Sequence, residues 1–600
     1  MNTTMSASDK LKLAKLLLRK GEEQLLQHKD VVEDPFLDIS LDPDSRFEPF
    51  ELCSSQQVHL MGRSGYFDMT AGSNCYQSFV FQNADVEFID RIDNAFQKLI
   101  ARHDALRIQM VNSKEQQVLR EVPPFNAVRK DLRQHSPLEI EKLVQEEHKF
   151  LVFKPGNVNQ WPLFDLVVLI LPEDTLVLCW RMDLFIYDFP SRLVITNEFF
   201  EILKDPNKEF PELKFSFRDY VKASNDAYKS VFFQRSKAYW ETRTPKFPQP
   251  LQLPTISKVR PGTQTPKDAF LSKLSAADWG KIKSFANRKS ITPSIVATIA
   301  FAYVLRNFAK SQDFLMGLIS FNRFDMHEQA EDILGCFVQM VPFPFDFEAA
   351  TFTDYCLKGR DQLIEAMQNR FYPGHLVLRD LHRMRKSGSH SQCPVMLTLL
   401  FEHKTKMEAF PDNSEIGEIT SEIAFQQLSL PQLQLHPGMG ENPDGSFWCY
   451  WNHASGLYPD GLIKDMSESL TGILSELAVQ ESNWDIAFHD LCEPVISNKA
   501  SVQYKLMDDI NDDSSFVRDD INSLVEQELM SLIQNKMGIA ISSPLEDLYD
   551  LGFNSLKLVQ LLNWIGEAFE CEIPQDILSG DITVAAFASQ LGNVRPSVLS

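Results

Sequence analysis

Trp180-Arg181-Met182-Asp183-Leu184-Phe185-Ile186-Tyr187-Asp188-Phe189-Pro190-Ser191 ends an apolar run with two acids and a hydroxyl at fixed spacing. Upstream, residues 163–171 and 176–180 are β-type apolar stretches separated by Pro172-Glu173-Asp174, which predicts a hairpin. Asp183 and Asp188 therefore leave the end of a buried strand. An ionised carboxylate there is costly unless it is paired or hydrogen-bonded. Taken alone, Asp-x4-Asp-x2-Ser also suits a pair of solvated loop acids. Its meaning depends on the rest of the chain.

At 600 residues the chain is too long for one core, so several folding units are expected. A hydrophobic content of 44% and a charged content of 24% are those of an ordinary globular protein. The net charge of −23 argues against nucleic acid or an anionic membrane as main partner. No apolar run reaches the length of a membrane span. Residues 9–21 are amphipathic and lack a secretory h-region; they read as a packing or docking helix, with a transit peptide as the alternative. The nine cysteines are scattered, without CxxC or Cys/His metal spacing, and Cys179 and Cys393 lie in apolar runs. The expectation is a cytoplasmic, reduced protein with buried thiols and no metal.

Along the chain, residues 7–26 predict a helix and 27–46 an acidic lead-in. Residues 47–492 alternate strands and helices without a βαβ period, with lobes expected at about 47–225 and 226–492. Pro-rich stretches at 244–253 and 260–267 suggest a crossover. Residues 291–308 predict a buried helix opened by Thr292-Pro293. Residues 493–518 are polar and acid-rich, as a linker would be.

Residues 519–595 read as a small all-helical unit, with helices at 519–537 and 555–569 and a third near Pro574. From 519 to 600 there are 12 acids against three bases, a difference of −9 that suits basic partners. Within it, Asp550-Leu551-Gly552-Phe553-Asn554-Ser555-Leu556 puts a serine at the start of a helix, where orphan N–H groups favour phosphate. An ordinary N-cap serine fits the same position. The unit resembles a peptidyl carrier protein, whose Asp-x-Gly-x-x-Ser-Leu site is matched at Asp550, Gly552, Ser555 and Leu556, with Asn554 where Asp is common. The resemblance implies a four-helix carrier fold. It also implies 4′-phosphopantetheine carried on Ser555 and installed from coenzyme A by a separate phosphopantetheinyl transferase.

Residues 47–490 resemble the condensation superfamily of non-ribosomal peptide synthetases, in its heterocyclization branch. Pro49-Phe50 through Gly62-Arg63 matches the opening motif, with His59 where tyrosine is usual. Arg102-His103 to Arg107, Thr292-Pro293, Phe321-Asn322-Arg323 with Gly335-Cys336-Phe337-Val338, Cys393-Pro394-Val395 to Thr398, and Pro431-Gln432 to His436 follow in order. Asp183…Asp188…Ser191 stands where ordinary condensation domains carry paired histidines, and it marks the branch. The implied fold is α/β (α+β), two-lobed and chloramphenicol-acetyltransferase-like.

The implied chemistry joins an upstream acyl thioester to the amine of a Cys, Ser or Thr thioester. Loss of water can then close a thiazoline or oxazoline. Amide formation needs positioning more than a base, so Leu184 in place of the second histidine is tolerable. Ring closure needs proton transfer, which the resemblance assigns to Thr398 and to an Asp closing the seventh motif. His436 stands at that Asp, with Asp444 the candidate if the loop is shifted, and Cys336 and Val338 replace an Asp and a Thr of the fifth motif. A histidine still exchanges protons near neutral pH, yet the substitutions favour impaired cyclization. Asp188 is expected to pair with a buried cation, Arg323 being the candidate, and to hold the lobes together. Asp183 is expected nearer the tunnel, towards the incoming amine. Ser191 suits a cap or turn hydroxyl as well as a chemical role.

No nucleotide-binding Gly-rich loop and no Gly-x-Ser-x-Gly elbow occur in the 600 residues. The reading therefore expects an adenylation protein loading the carrier in trans, an upstream acyl or aryl carrier, and a downstream synthetase or thioesterase, in siderophore-type azoline synthesis. Two other classes stay open: a catalytically silent scaffold serving as an acyl carrier, and a coenzyme A-dependent acyltransferase.

Overall fold

The computed structural model describes residues 39–63, 73–256, 267–321, 323, 327–385, 391–401, 414–416, 419–430, 432–500 and 519–541, then 543–544, 546, 548, 551, 553, 555–569, 582–584 and 587. Outside them fall the expected N-terminal helix, the second Pro-rich stretch up to residue 266, Asn322, the linker from residue 501, Asp550, Gly552, Asn554 and the helix near Pro574.

The first half contributes β1 (Phe50–Glu51), β2 (Asn74–Gln82), β3 (Ile108–Met110), β4 (Glu115–Val118), β5 (Val128–Asp131), β6 (Phe164–Leu171) and β7 (Thr175–Asp183). The second half contributes β8 (Lys267–Leu274), β9 (Phe314–Phe321), β10 (Val338–Phe345), β11 (Met396–Leu400), β12 (Ser414–Ile416), β13 (Ile419–Ser429), β14 (Leu435–Glu441) and β15 (Phe447–Ala454). Two mixed six-stranded sheets result, ordered β12-β13-β2-β7-β6-β5 and β10-β9-β11-β14-β15-β8, beside a small β1-β4-β3 sheet. Each large sheet has its own hydrophobic core, the mark of two lobes.

The β6–β7 hairpin is antiparallel from Phe164↔Met182 to Leu171↔Thr175. Its turn needs left-handed backbone, which Glu173 (φ 58°) and Asp174 (φ 48°) adopt. Both strands are apolar along their length because helices and loops cover both faces. On one face Trp180 meets Phe96, of the Phe88–Arg102 helix, edge-on at 4.9 Å, and Phe199, of the Phe189–Lys204 helix, at 5.3 Å. In the second lobe the Pro293–Phe308 helix begins at Thr292, whose hydroxyl accepts from Ile295 N–H, and is buried nearly all round.

The lobes do not divide at residue 225. β13 leaves the second half and pairs along the whole of β2, from Thr420↔Gln82 to Ser429↔Asn74. Ala330, Ile333, Leu334, Cys336 and Phe337 likewise pack into the first lobe's core. Gly335 lies in that crossing segment, where a Cβ would stand 2.3 Å from the Phe217 ring. Burying these apolar side chains ties the lobes together more than a boundary drawn along the chain allows. The expected linker also starts later, because Phe488–Ala500 is helical and buries Cys492 and Ile496 in the second core.

Asp519–Met537 and Ser555–Phe569 are helices that share a separate small core with Leu548, Phe553, Val584 and Phe587. Among the described residues no single helix is long and apolar enough to cross a membrane. The eight described cysteines are free thiols, and all but Cys75 are buried.

Candidate active site

Asp188 begins the Phe189–Lys204 helix as its N-cap, with extended backbone (φ −138°, ψ −176°). The cap follows from the sequence: an acid, then an apolar residue and a proline in the first turn, where no backbone donor is required. Asp188 Oδ1 accepts from Ser191 N–H at 2.8 Å, from the Ser191 hydroxyl at 2.6 Å and from Arg323 Nη2 at 2.8 Å. Its Oδ2 accepts from Phe337 N–H at 3.2 Å. Arg323 also donates to the carbonyls of Ala330 (2.9 Å) and Ile333 (2.7 Å), and its guanidinium lies 4.1 Å from the Phe337 ring centroid. Gly335 N–H donates to Ser191 Oγ at 3.1 Å. Every group in this cluster is buried, and Asp188 also lines the cavity described below. Three chain segments meet on the Asp188 carboxylate.

Asp183 takes a different place from the one expected. It ends β7 fully buried, away from the cavity described below. Arg63 donates to its Oδ1, Phe185 N–H donates at 2.9 Å, and Arg181 lies at 3.5 Å. Two guanidiniums hold this acid, and it does not line the cavity. A Cβ on Gly156 would stand 1.9 Å from Asp183 Oδ2, so the chain closes directly over it. Ser191 is likewise absent from the cavity wall.

A cavity of about 440 Å³ runs between the lobes. Thr398 lies on β11 and His436 on β14, neighbouring parallel strands in which Thr398 registers with Gly438. That register sets His436 two residues away on the same face, and Thr398 Oγ1 and His436 Nε2 are hydrogen-bonded at 2.8 Å. Both are buried and both line the cavity. Asp444 lies instead in an exposed turn, where it accepts from Ser446 N–H (2.7 Å) and the Ser446 hydroxyl (2.6 Å). Thr398 thus meets His436, and Asp444 stands away from the cavity.

Other cavity residues carry no role in the sequence reading: His375, Tyr187, Arg192 and Gln426. His59, quoted there only as a substituted motif position, lines it too. Burial, and then the Arg63 charge, push the His59 pKa down to about 4. Burial, and then Arg379, push His375 to about 3. Both imidazoles are neutral at pH 7. Arg63 appeared only as the end of the opening motif, and a lone cation after a helix carries no signal of a partner 120 residues away. The cation directly following the Asp-x4-Asp-x2-Ser segment was the available hint for Arg192.

The Ser555–Phe569 helix packs on the Ser54–Gly62 helix, and Leu558 reaches the cavity wall. Ser555 is the first residue of its helix.

The family model of the condensation domain matches residues 68–478, and that of the phosphopantetheine attachment site matches residues 527–591. Pyochelin synthetase PchF of Pseudomonas aeruginosa is 24% identical over 487 residues, which cover 80% of this chain and 26% of that protein. Phenyloxazoline synthase MbtB of Mycobacterium tuberculosis is 25% identical over 450 residues, 73% of this chain and 30% of its own length. The chain thus spans about a third or less of these relatives. Among solved structures, the EpoB cyclization-docking bidomain from Sorangium cellulosum superposes with a TM-score of 0.68 at 24% identity, covering 80% of this chain and 94% of that one. The condensation domain of the polyketide synthase MokA gives 0.58 at 16% identity, covering 73% and 99%. With the two-lobed chloramphenicol-acetyltransferase-like architecture in place, the chain belongs to the condensation-domain family and carries a C-terminal domain of the kind that holds covalent 4′-phosphopantetheine.

Proposed function

We propose that this chain is a heterocyclization module, with Ser555 as its phosphopantetheine attachment point. It would join an upstream carrier-bound acyl group to a Cys, Ser or Thr held on its own carrier, and then close the ring. The arm supplies a long tether whose terminal thiol holds the amino acid. A phosphopantetheinyl transferase installs it, an adenylating enzyme loads it, and an upstream acyl carrier brings the second substrate. Synthetases named for pyochelin and for a phenyloxazoline among the relatives support an azoline product of siderophore type.

In amide formation the amine nitrogen bonds to the acyl carbon, the carbon–sulfur bond breaks, and the upstream thiol departs with the amine's proton. Confinement in the cavity supplies effective concentration and excludes water, which accounts for most of the need. Ring closure follows when the side-chain thiol or hydroxyl adds to the new amide carbon and that carbon loses its oxygen as water. The leaving oxygen must gain a proton and the nitrogen must lose one.

One observation carries this reading. Thr398 and His436 share a 2.8 Å hydrogen bond inside the cavity whose rim the Ser555–Phe569 helix adjoins. An imidazole can take up and release a proton and the hydroxyl can relay it, so the pair replaces the threonine–carboxylate couple that the resemblance led one to expect. Retained ring closure then fits the geometry better than impaired closure.

The test loads the holo protein with cysteinyl or seryl groups, adds an upstream acyl carrier and records intact mass. Amide formation with loss of one water is expected. No gain beyond the loaded amino acid refutes the enzyme reading and leaves a silent carrier. A gain without water loss limits the protein to condensation.

A further inference from the structure

The Phe189–Lys204 helix turns a cation towards the cavity directly after Ser191. Arg192 is 7% exposed, lines the cavity, and lies with its guanidinium 4.9 Å from the Phe189 ring centroid. It donates to the side-chain oxygen of Gln426, on the β13 segment that crosses between the lobes. Tyr450 fixes the same residue from the second lobe, its hydroxyl donating to the Gln426 carbonyl at 2.7 Å. The guanidinium is therefore set in place from both lobes.

Two further donors face this stretch of wall. Tyr187 is 1% exposed and lines the cavity, and its hydroxyl has no hydrogen-bond partner among the described residues. Gln426 Nε2, freed by the use of its oxygen on Arg192, is also buried without a partner. The Arg192 charge acts on both the Tyr187 and Tyr450 phenols, so these groups share one locality. A buried polar atom without a partner is costly, and such atoms at a cavity wall point to a ligand that satisfies them.

We propose that Arg192, Tyr187 and Gln426 form a subsite that selects an acyl donor bearing a carboxylate beyond its thioester carbonyl. A carboxylate has two oxygens and about four lone-pair sites, enough for all three donors, and it matches the guanidinium in charge. The inference rests on the function proposed above, and that function assigns the subsite to one substrate. The Cys, Ser or Thr group on the chain's own carrier has an amine, which a guanidinium repels, and no anionic oxygen. The subsite therefore belongs to the incoming acyl group. In a chain of net charge −23, a cation on the cavity wall favours an anion there, while the Asp188 carboxylate of the same wall is paired with Arg323.

The experiment uses the full holo chain loaded with a cysteinyl group. Donors are N-acetylcysteamine thioesters, which carry no phosphate: glutaryl, its uncharged terminal carboxamide, and a hydroxyaryl acyl group. Amide formation is read as kcat/KM by intact mass. Binding of the matching unreactive ketone analogues is measured in parallel by calorimetry. Glutaryl is expected to exceed its carboxamide by about tenfold or more, the scale of one charge-assisted hydrogen bond. Arg192→Gln should bring that ratio close to one. Tyr187→Phe, which removes only an unpartnered oxygen, should lower it several-fold. A wild-type ratio near one, a hydroxyaryl donor preferred over glutaryl, or a ratio unmoved by both variants overturns the proposal. Should Arg192→Gln fail to fold, the wild-type ratio and Tyr187→Phe decide. Tighter binding of the carboxylate analogue with no amide from any donor sinks the proposed function and sustains the subsite.

Discussion

Removing either partner of the Asp188–Arg323 pair should destabilise the condensation domain unequally, and the contacts say by how much. In Asp188→Ala the Phe189–Lys204 helix loses its N-cap, about 1 kcal/mol. Phe337 N–H loses its acceptor, about 1–3 kcal/mol. The Arg323 guanidinium keeps only neutral partners in a buried site. Together these put the variant at the upper part of the range for breaking a buried pair, about 4–5 kcal/mol. Arg323→Met is milder, about 3 kcal/mol, because Asp188 retains the Ser191 N–H, the Ser191 hydroxyl and Phe337 N–H. The double variant should cost less than the sum by at least about 1.5 kcal/mol, since the second change removes a charge that the first left unpaired. Urea unfolding of the full chain, followed by tryptophan fluorescence, reads all four corners; Trp180 sits in the core of the same lobe. Single costs below about 1 kcal/mol, or strictly additive ones, would refute a buried clamp. An Arg323→Met protein of unchanged stability that made no amide would assign the pair a chemical task instead.

Thr398→Val keeps the shape and removes the proton relay, so amide should form while water loss falls by about a hundredfold or more, read by intact mass. Ser555→Ala should take up no mass when treated with coenzyme A and a phosphopantetheinyl transferase; any uptake moves the attachment elsewhere. Folding depresses the His59 pKa from 6.5 to about 4. The unfolded chain therefore takes up that proton first, and stability present above pH 6.5 is lost as pH falls towards 4. The loss is about 3 kcal/mol, and His59→Tyr should flatten stability curves across that window. Gly156→Ala puts a Cβ 1.9 Å from Asp183 Oδ2 and 2.9 Å from Arg181 Nη2, so a melting temperature several degrees lower is expected.

The elements set by near neighbours were legible in the sequence. Alternating apolar runs around Pro172-Glu173-Asp174 specify a hairpin because the turn geometry is local, and Thr292-Pro293 specifies a helix start for the same reason. Ser555 was legible as a helix opener through its place before an apolar-periodic stretch. The order of motifs named the family. Lobe boundaries were not legible, because β13 returns to β2 across more than 300 residues of chain, and apolar periodicity records which face of a strand is buried but not against what.

The sequence by itself determined the two-part organisation, the helix that begins at Ser555 and the placing of two acids at the end of an apolar strand. Tertiary structure alone decided what those acids do. Asp183 is held inward by Arg63 and Arg181, and Asp188 is clamped by Arg323, because long-range packing chose the cations that reach each carboxylate. It decided too that His436, and not Asp444, meets Thr398. The two residues stand 38 apart in the chain and touch only through the register of two parallel strands. Parallel pairing is fixed by how the strands are buried, with no local turn to specify it.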